Sequence, residues 1–151
     1  MQGLRDRTVT AIFIMLDIAF HGMHGNTVSA TEIAHRSGMA RRGIEPLLQV
    51  LSRSGLLSGV RGPHGGYRLG HPAREILLSD IHQAIAARHD RMERRNGPLF
   101  NTVIRPFLNQ MEGMLEREYR KITLDELVRQ AESHGLPRPE RPVAQAATFS
   151  I

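Results

Sequence analysis

Seven arginines, Arg36, Arg41, Arg42, Arg53, Arg61, Arg68 and Arg74, fall between residues 36 and 74 against a single acid, Glu45, a local net charge of +6. Every cation in this window is Arg, whose planar fork suits phosphate oxygens and the O6/N7 edge of guanine. A merely solvated basic face is the competing reading. The window also holds Arg61-Gly62-Pro63-His64-Gly65-Gly66-Tyr67. Its glycines let a backbone approach phosphates and reach positive φ, although a simple tight turn needs the same residues. No Lys-Ser/Thr pair follows them, which disfavours a nucleotide-binding loop. Of the eight histidines, His21 and His24 have ligand-like spacing, but no Glu completes a protease motif and the pair falls at a helix end, so no metal site is expected. The chain has no Cys, which excludes disulfides, Cys-based zinc sites and an all-Cys iron–sulfur cluster. No nucleophile–base pair stands out, and an enzyme is not expected.

The net charge of +5 over 151 residues is not spread evenly. Residues 1–35 carry a net −1, and residues 75–151 carry eleven basic and eleven acidic groups, so the whole excess sits in the arginine window. A basic balance admits nucleic acid, anionic lipid or acidic protein as partner. Ala11 to Phe20, the most apolar stretch near the N-terminus, is too short to span a bilayer and is followed by no small-residue cleavage site. A cytoplasmic chain with no membrane partner is the expectation.

The elements that must carry these residues can be read from periodicity. Val9, Ile12, Phe13, Leu16, Ala19 and Phe20 recur as one face of a helix ending near Gly22. Ser29 and Glu32 have capping-box spacing for a short helix that stops at Gly38. After the turn Met39-Ala40, a second helix with Ile44, Leu47, Leu48 and Leu51 on one face should start between Arg42 and Glu45, so that Pro46 falls in its first turn; a local kink at Pro46 is the alternative. Two short helices across a Gly-containing turn are a helix-turn-helix. Leu56 to Val60 and Tyr67 to Leu69 then read as a β-hairpin around the glycine-rich tip, a wing. A further helix capped by Ser79 contains Ile81 and Ile85. Arg88 to Asn96 reads as a loop or frayed helix end. From Pro98 an apolar stripe runs through Phe100, Val103, Ile104, Phe107, Leu108, Met111, Met114, Leu115 and Tyr119, with Pro106 kinking the helix or starting its second half. Thr123 and Glu126 form a second capping box before a helix that stops at Gly135. The fold class is mainly α with a small β-hairpin: a winged helix-turn-helix (residues 1–87), a loop (88–97), a long C-terminal helical dimerisation region (98–136) and a tail expected to be disordered (137–151).

Glu32-Ile33-Ala34, Gly38, Ile44-Glu45, Leu47-Leu48, Leu51, Gly55-Leu56 and above all Val60 to Leu69 resemble the DNA-binding half of the Rrf2 (Rrf-two) family of bacterial transcription regulators, the IscR, NsrR and CymR type. The likeness extends over about residues 4–133 through Leu16 to Ala19 and Ile122 to Leu124. The resemblance implies a cytoplasmic homodimer on palindromic promoters, with long helices crossing between protomers. Many relatives hold an iron–sulfur cluster through three Cys in the loop at 88–97. This chain has none there, so no cofactor is expected and the effector, a small molecule or a protein, is open. The family often has an aromatic where this chain has Gly43.

On this reading the partner is double-stranded DNA and the function is that of a dimeric repressor. Arg41, Arg42 and Glu45 lead the recognition helix into the major groove, where either Arg could read guanine and Glu45 could accept from cytosine. The alternative makes the arginines phosphate clamps and Glu45 their local ion-pair partner. Arg61 would enter or flank the minor groove, with Gly62, His64, Gly65 and Gly66 close to phosphates. Ser29 and Thr31 are candidate phosphate contacts, with capping the alternative. Tyr67 packs the wing on the core. Phe107, Leu108, Met111, Met114 and Leu115 are the expected dimer interface. His82 and His89 flank the loop; surface histidines or a different ligand site are both open. A non-enzymatic ligand-sensing or protein-interaction adaptor without operator specificity is the alternative function.

Overall fold

The computed structural model describes residues 3–92 and 94–138. Its helices are α1 (Leu4–His21), α2 (Ala30–Ser37), α3 (Arg41–Arg53), α4 (Leu78–Met92), α5 (Arg105–Tyr119) and α6 (Leu124–Ser133), with one antiparallel hairpin, β1 (Leu57–Val60) and β2 (Gly66–Leu69), between α3 and α4. The mainly helical class with a small hairpin is therefore what the residues form. Most of the tail expected to be disordered, from residue 139 onward, lies outside the described residues.

The central helix, α1, carries Ile14, Met15 and Ile18 at 1% exposure or less. They meet Ile44, Leu48 and Leu51 of α3, Ile81 and Ile85 of α4 and Leu124 of α6 in one apolar cluster. This corrects the face expected from the sequence. Val9 and Phe13 are exposed at 54% and 36%, while Ala11 and Ile14, off that stripe, are fully buried. α1 is apolar nearly all round, so its periodicity cannot choose a face, and the packing partners choose it.

Local signals were otherwise well placed. Ser29 Oγ accepts from the Glu32 amide at 3.1 Å while Glu32 Oε2 accepts from the Ser29 amide at 2.7 Å. Thr123 and Glu126 repeat the box at α6. At α4 the cap differs: Ser79 is buried within the first turn, and Asp80 accepts from the Leu77 amide at 2.8 Å instead. α3 begins at Arg41, so Pro46 sits in its second turn, where the Arg42 carbonyl lacks an i+4 amide partner. α4 runs on to Met92, so residues 88–92 are helical rather than loop. Helix-forming Ala86, Ala87 and Arg88 continue the chain without a breaker. Pro106 lies in the first turn of α5 and so starts the second half of the long C-terminal helix, one of the two expected outcomes; a π-helical turn, Phe100–Ile104, precedes it. The proline has no N–H and its ring crowds the carbonyl four residues back, and a widened turn relieves both problems.

The hairpin pairs Leu57 with Leu69 and Val60 with Gly66. Val28, ahead of α2, adds a short third rung by exchanging backbone bonds of 2.9 and 2.8 Å with Tyr67. That rung needs Gly66, because a Cβ there would lie 2.7 Å from the Val28 carbonyl oxygen. Gly66→Ala is expected to lower stability by about 1–3 kcal/mol through this backbone clash, seen as a lower denaturant midpoint with an unchanged m value.

Candidate nucleic-acid interface

The orientation of α2 is set by a buried charge. Asp17 of α1 is 5% exposed, and Arg36 in the last turn of α2 grips it with two bonds, Nε to Oδ1 at 2.9 Å and Nη2 to Oδ2 at 2.8 Å. This contact pushes the Arg36 guanidinium pKa further up, the hydrogen bond to Asp17 being the leading cause. His21 Nδ1 stands 3.3 Å from the same carboxylate. Arg36 therefore belongs to the scaffold and not to the outward-facing charge that its place in the arginine window implies. Gly38, at φ +69°, ends α2 in the left-handed conformation and permits the two-residue turn into α3.

α3 buries Ile44, Leu47, Leu48, Val50 and Leu51 and presents Arg41, Arg42, Glu45, Pro46, Gln49 and Arg53 to solvent. Arg41 Nη2 lies 2.8 Å from Glu45 Oε1, one turn along an exposed face. Such pairs contribute only about 0.3–0.5 kcal/mol, so a stronger partner can displace them. The free chain thus adopts the local ion-pair geometry for Glu45. Gln49 and Arg53 extend the solvent face by further helical turns; the sequence reading counted Arg53 in the basic window without giving it a DNA contact, and did not mention Gln49. They were legible as the complement of the Ile44–Leu51 apolar periodicity. Thr31 is exposed in the first turn of α2.

The wing tip is closed by the Gly65 amide donating to the Gly62 carbonyl at 2.9 Å, with Gly62 at φ +117°. Thr27 Oγ1 donates to the His64 carbonyl at 2.7 Å and so ties the tip to the segment leading into α2. Sequence reading gave Thr27 no role. Arg61 and His64 are exposed. Gly65 and Gly66 are used inward: a Cβ on Gly65 would lie 2.5 Å from the Val60 carbonyl oxygen. Tyr67 packs against the core as expected. An open cleft of about 790 Å³ between wing and helix-turn-helix brings Ser29, His64 and Gly65 together with Thr27 and Arg68. Thr31, Arg41, Arg42, Glu45, Arg61, Gly62 and Gly66 are not on its walls. Arg42, Arg53, Arg61, Arg68 and Arg74 form no ion pair among the described residues.

Two other histidine expectations resolve differently. His82 is buried at 4% exposure, not at the surface, because α5 covers it. His89 is half-buried. The side chain of His24, half of the His21/His24 pair, lies outside those described. On α5, Phe107, Leu108, Met111 and Met114 are exposed at 57, 38, 43 and 48%, and Leu115 is half-buried.

Two short helices, a tight turn, a basic outer helix face and a basic-tipped hairpin define a winged helix-turn-helix DNA-binding transcription regulator. The model of the Rrf2 family, described as iron-dependent transcriptional regulators, matches residues 4–130. This chain belongs to the Rrf2 family. It is 34% identical over 130 residues to the HTH-type transcriptional regulator IscR of Photorhabdus laumondii, covering 81% of this chain and 76% of that one. It is 39% identical over 72 residues to protein rrf2 of Nitratidesulfovibrio vulgaris, 48% of this chain and 47% of the relative. In fold it is similar to T. potens IscR (TM-score 0.63, 24% identity, 92% and 93% of the two chains) and to CymR of B. subtilis (TM-score 0.64, 21% identity, 86% and 98%).

The iron in the family's description does not fit the residues present. The chain has no cysteine, and among the described residues no three His, Asp or Glu converge as a metal site. No helix of the described residues is long and apolar enough to cross a membrane.

Arg36→Ala would leave the buried Asp17 carboxylate without its guanidinium, and is expected to cost about 3 kcal/mol. Thermal unfolding of this variant against Glu45→Ala, which removes only an exposed pair, checks the contrast; equal melting temperatures would refute the scaffold role of the Asp17–Arg36 pair.

Proposed function

We propose that the chain is a cytoplasmic, homodimeric repressor that reads palindromic DNA with α3 in the major groove and the wing tip at the minor groove. The observation that carries this reading is the partition of the arginines. Arg36 is tied to the buried Asp17 and Arg41 is paired weakly, while Arg42 and Arg53 on α3 and Arg61 and Arg68 on the hairpin remain exposed without ion pairs among the described residues. Arg42 suits a guanine edge or a phosphate, and Arg41 can exchange Glu45 for DNA. Ser29 and Thr31 stand where the α2 amides meet a phosphate. Gly62 leaves open space at the wing tip, which lets the backbone come close to DNA.

The apolar stripe Phe107, Leu108, Met111, Met114 and Leu115 is the proposed dimer face, since an exposed band of this size requires a partner. The chain carries out no catalysis on this reading. Its input is a small-molecule or protein effector, not a thiolate-held cluster.

Binding to duplexes should weaken steeply with salt. Arg61→Ala is expected to weaken binding to all sequences alike and to lower the salt slope by about one. Arg42→Ala, if it reads a base, should lose about 1–3 kcal/mol on the preferred site and relax specificity at one position. Footprinting should show two half-sites about 10 bp or a multiple apart. Duplex binding that is unmeasurable at low salt would sink the proposal.

A further inference from the structure

Among the described residues, helix α5 is held by the head through its C-terminal half. Every residue from Asn101 to Met111 is exposed, and Glu112 is the first that is not. Glu112, Glu116 and Tyr119 lie on one face of α5 at helical spacing, and all three engage α4. Glu112 Oε2 stands 3.0 Å from His82 Nε2. Glu116 Oε1 accepts from Gln83 Nε2 at 2.8 Å and from Arg120 at 2.7 Å, and these bonds, Gln83 first, hold its carboxyl below the usual range. The Tyr119 ring lies 5.1 Å from that of His82. His82 is itself anchored on α1, its Nδ1 lying 3.1 Å from Thr8 Oγ1, and both residues are buried.

Glu112 Oε2 is buried and has no well-aligned hydrogen bond, so its place depends on the His82 ring. A carboxylate facing Nε2 requires the proton there. Nδ1 then accepts from the Thr8 hydroxyl in a neutral ring, or donates to it in an imidazolium. Either state gives a continuous chain from α1 through α4 to α5.

We propose that the His82–Glu112 contact is the joint that fixes the angle at which α5 leaves the head, and thereby the half-site spacing that the dimer accepts. The inference rests on the dimeric DNA-binding reading above. Its geometry explains why one contact matters. From Glu112 back to Arg105 helix α5 projects about 10 Å at 1.5 Å per residue. A swing of about 20° at Glu112 moves that end about 4 Å, close to the roughly 3.4 Å rise of one base pair. The Glu112 side chain as a whole is still 38% exposed, so the contact adds little stability; its effect is on geometry.

The test uses the full chain. Duplexes are selected from a random library with the wild type, and the selected palindrome is rebuilt with its spacing changed one base pair at a time, alongside a single half-site. Wild type should lose about tenfold or more per step, because both heads then cannot engage together. Glu112→Gln keeps an acceptor for Nε2–H and should keep that preference. Glu112→Ala should narrow it to about twofold or less, with half-site affinity and dimeric state unchanged by sedimentation. An unaltered spacing profile in Glu112→Ala overturns the joint, as does loss of half-site binding or of the dimer in that variant. A wild type that selects no duplex, or sediments as a monomer, overturns the underlying reading and the joint with it, and is recognised without any variant.

Discussion

A carboxylate on the buried side of a helix cannot stay unpaired, because an isolated ion in a low-dielectric interior costs several kcal/mol. Asp17 of α1 is in that position, and Arg36 is the group that meets it with both of its ends. The pairing dictates where the last turn of α2 sits. Gly38 then leaves only a two-residue turn before α3, so α3 inherits its direction from the same ion pair. Apolar burial of Ile44, Leu48 and Leu51 supplies most of the stabilisation, but it is non-directional. The two-pronged Arg–carboxylate geometry is directional, and it specifies the arrangement.

The same logic separates structural from available charge. Arg36 is consumed by the scaffold and Arg41 is held loosely by Glu45, while the arginines of the outer α3 face and of the hairpin keep their charge for a partner. The wing is made rigid by backbone. Thr27 holds the His64 carbonyl, Val28 pairs with Tyr67, and Gly65 and Gly66 permit those close approaches.

The long helix presents the opposite situation. α5 exposes an apolar band that the described residues leave uncovered, and it meets the head through the packing of Tyr119 and a few polar contacts centred on His82. Stability and geometry are therefore separable here, since the head carries its own core while the arm's direction rests on one small cluster. The missing cysteines remove the family's thiolate chemistry, but they leave this connection between α4 and α5 intact.

Much of the head was legible in the sequence. The capping boxes at Ser29 and Thr123, the stop at Gly38, the α3 apolar face and the existence of the hairpin depend on residues close together in the chain, so local pattern suffices. Tyr67 was also assigned to packing correctly. Elsewhere the pattern was degenerate. α1 is apolar on every side, so Val9 and Phe13 looked like core until packing exposed them. Polar Arg88 to Met92 read as loop because nothing local distinguishes a solvated helix from one. The arginine window did locate the basic excess, as composition does without knowledge of the fold. It could not reveal that Arg36 is spent on Asp17, nor that His82 is buried between Thr8 and Glu112, because those partners are 19, 74 and 30 positions away in the chain. By itself, then, the sequence determined which arginines were candidates for the interface. Only the tertiary structure decided which remain free to bind, because an ion pair depends on distance in space, and distance along the chain does not give it.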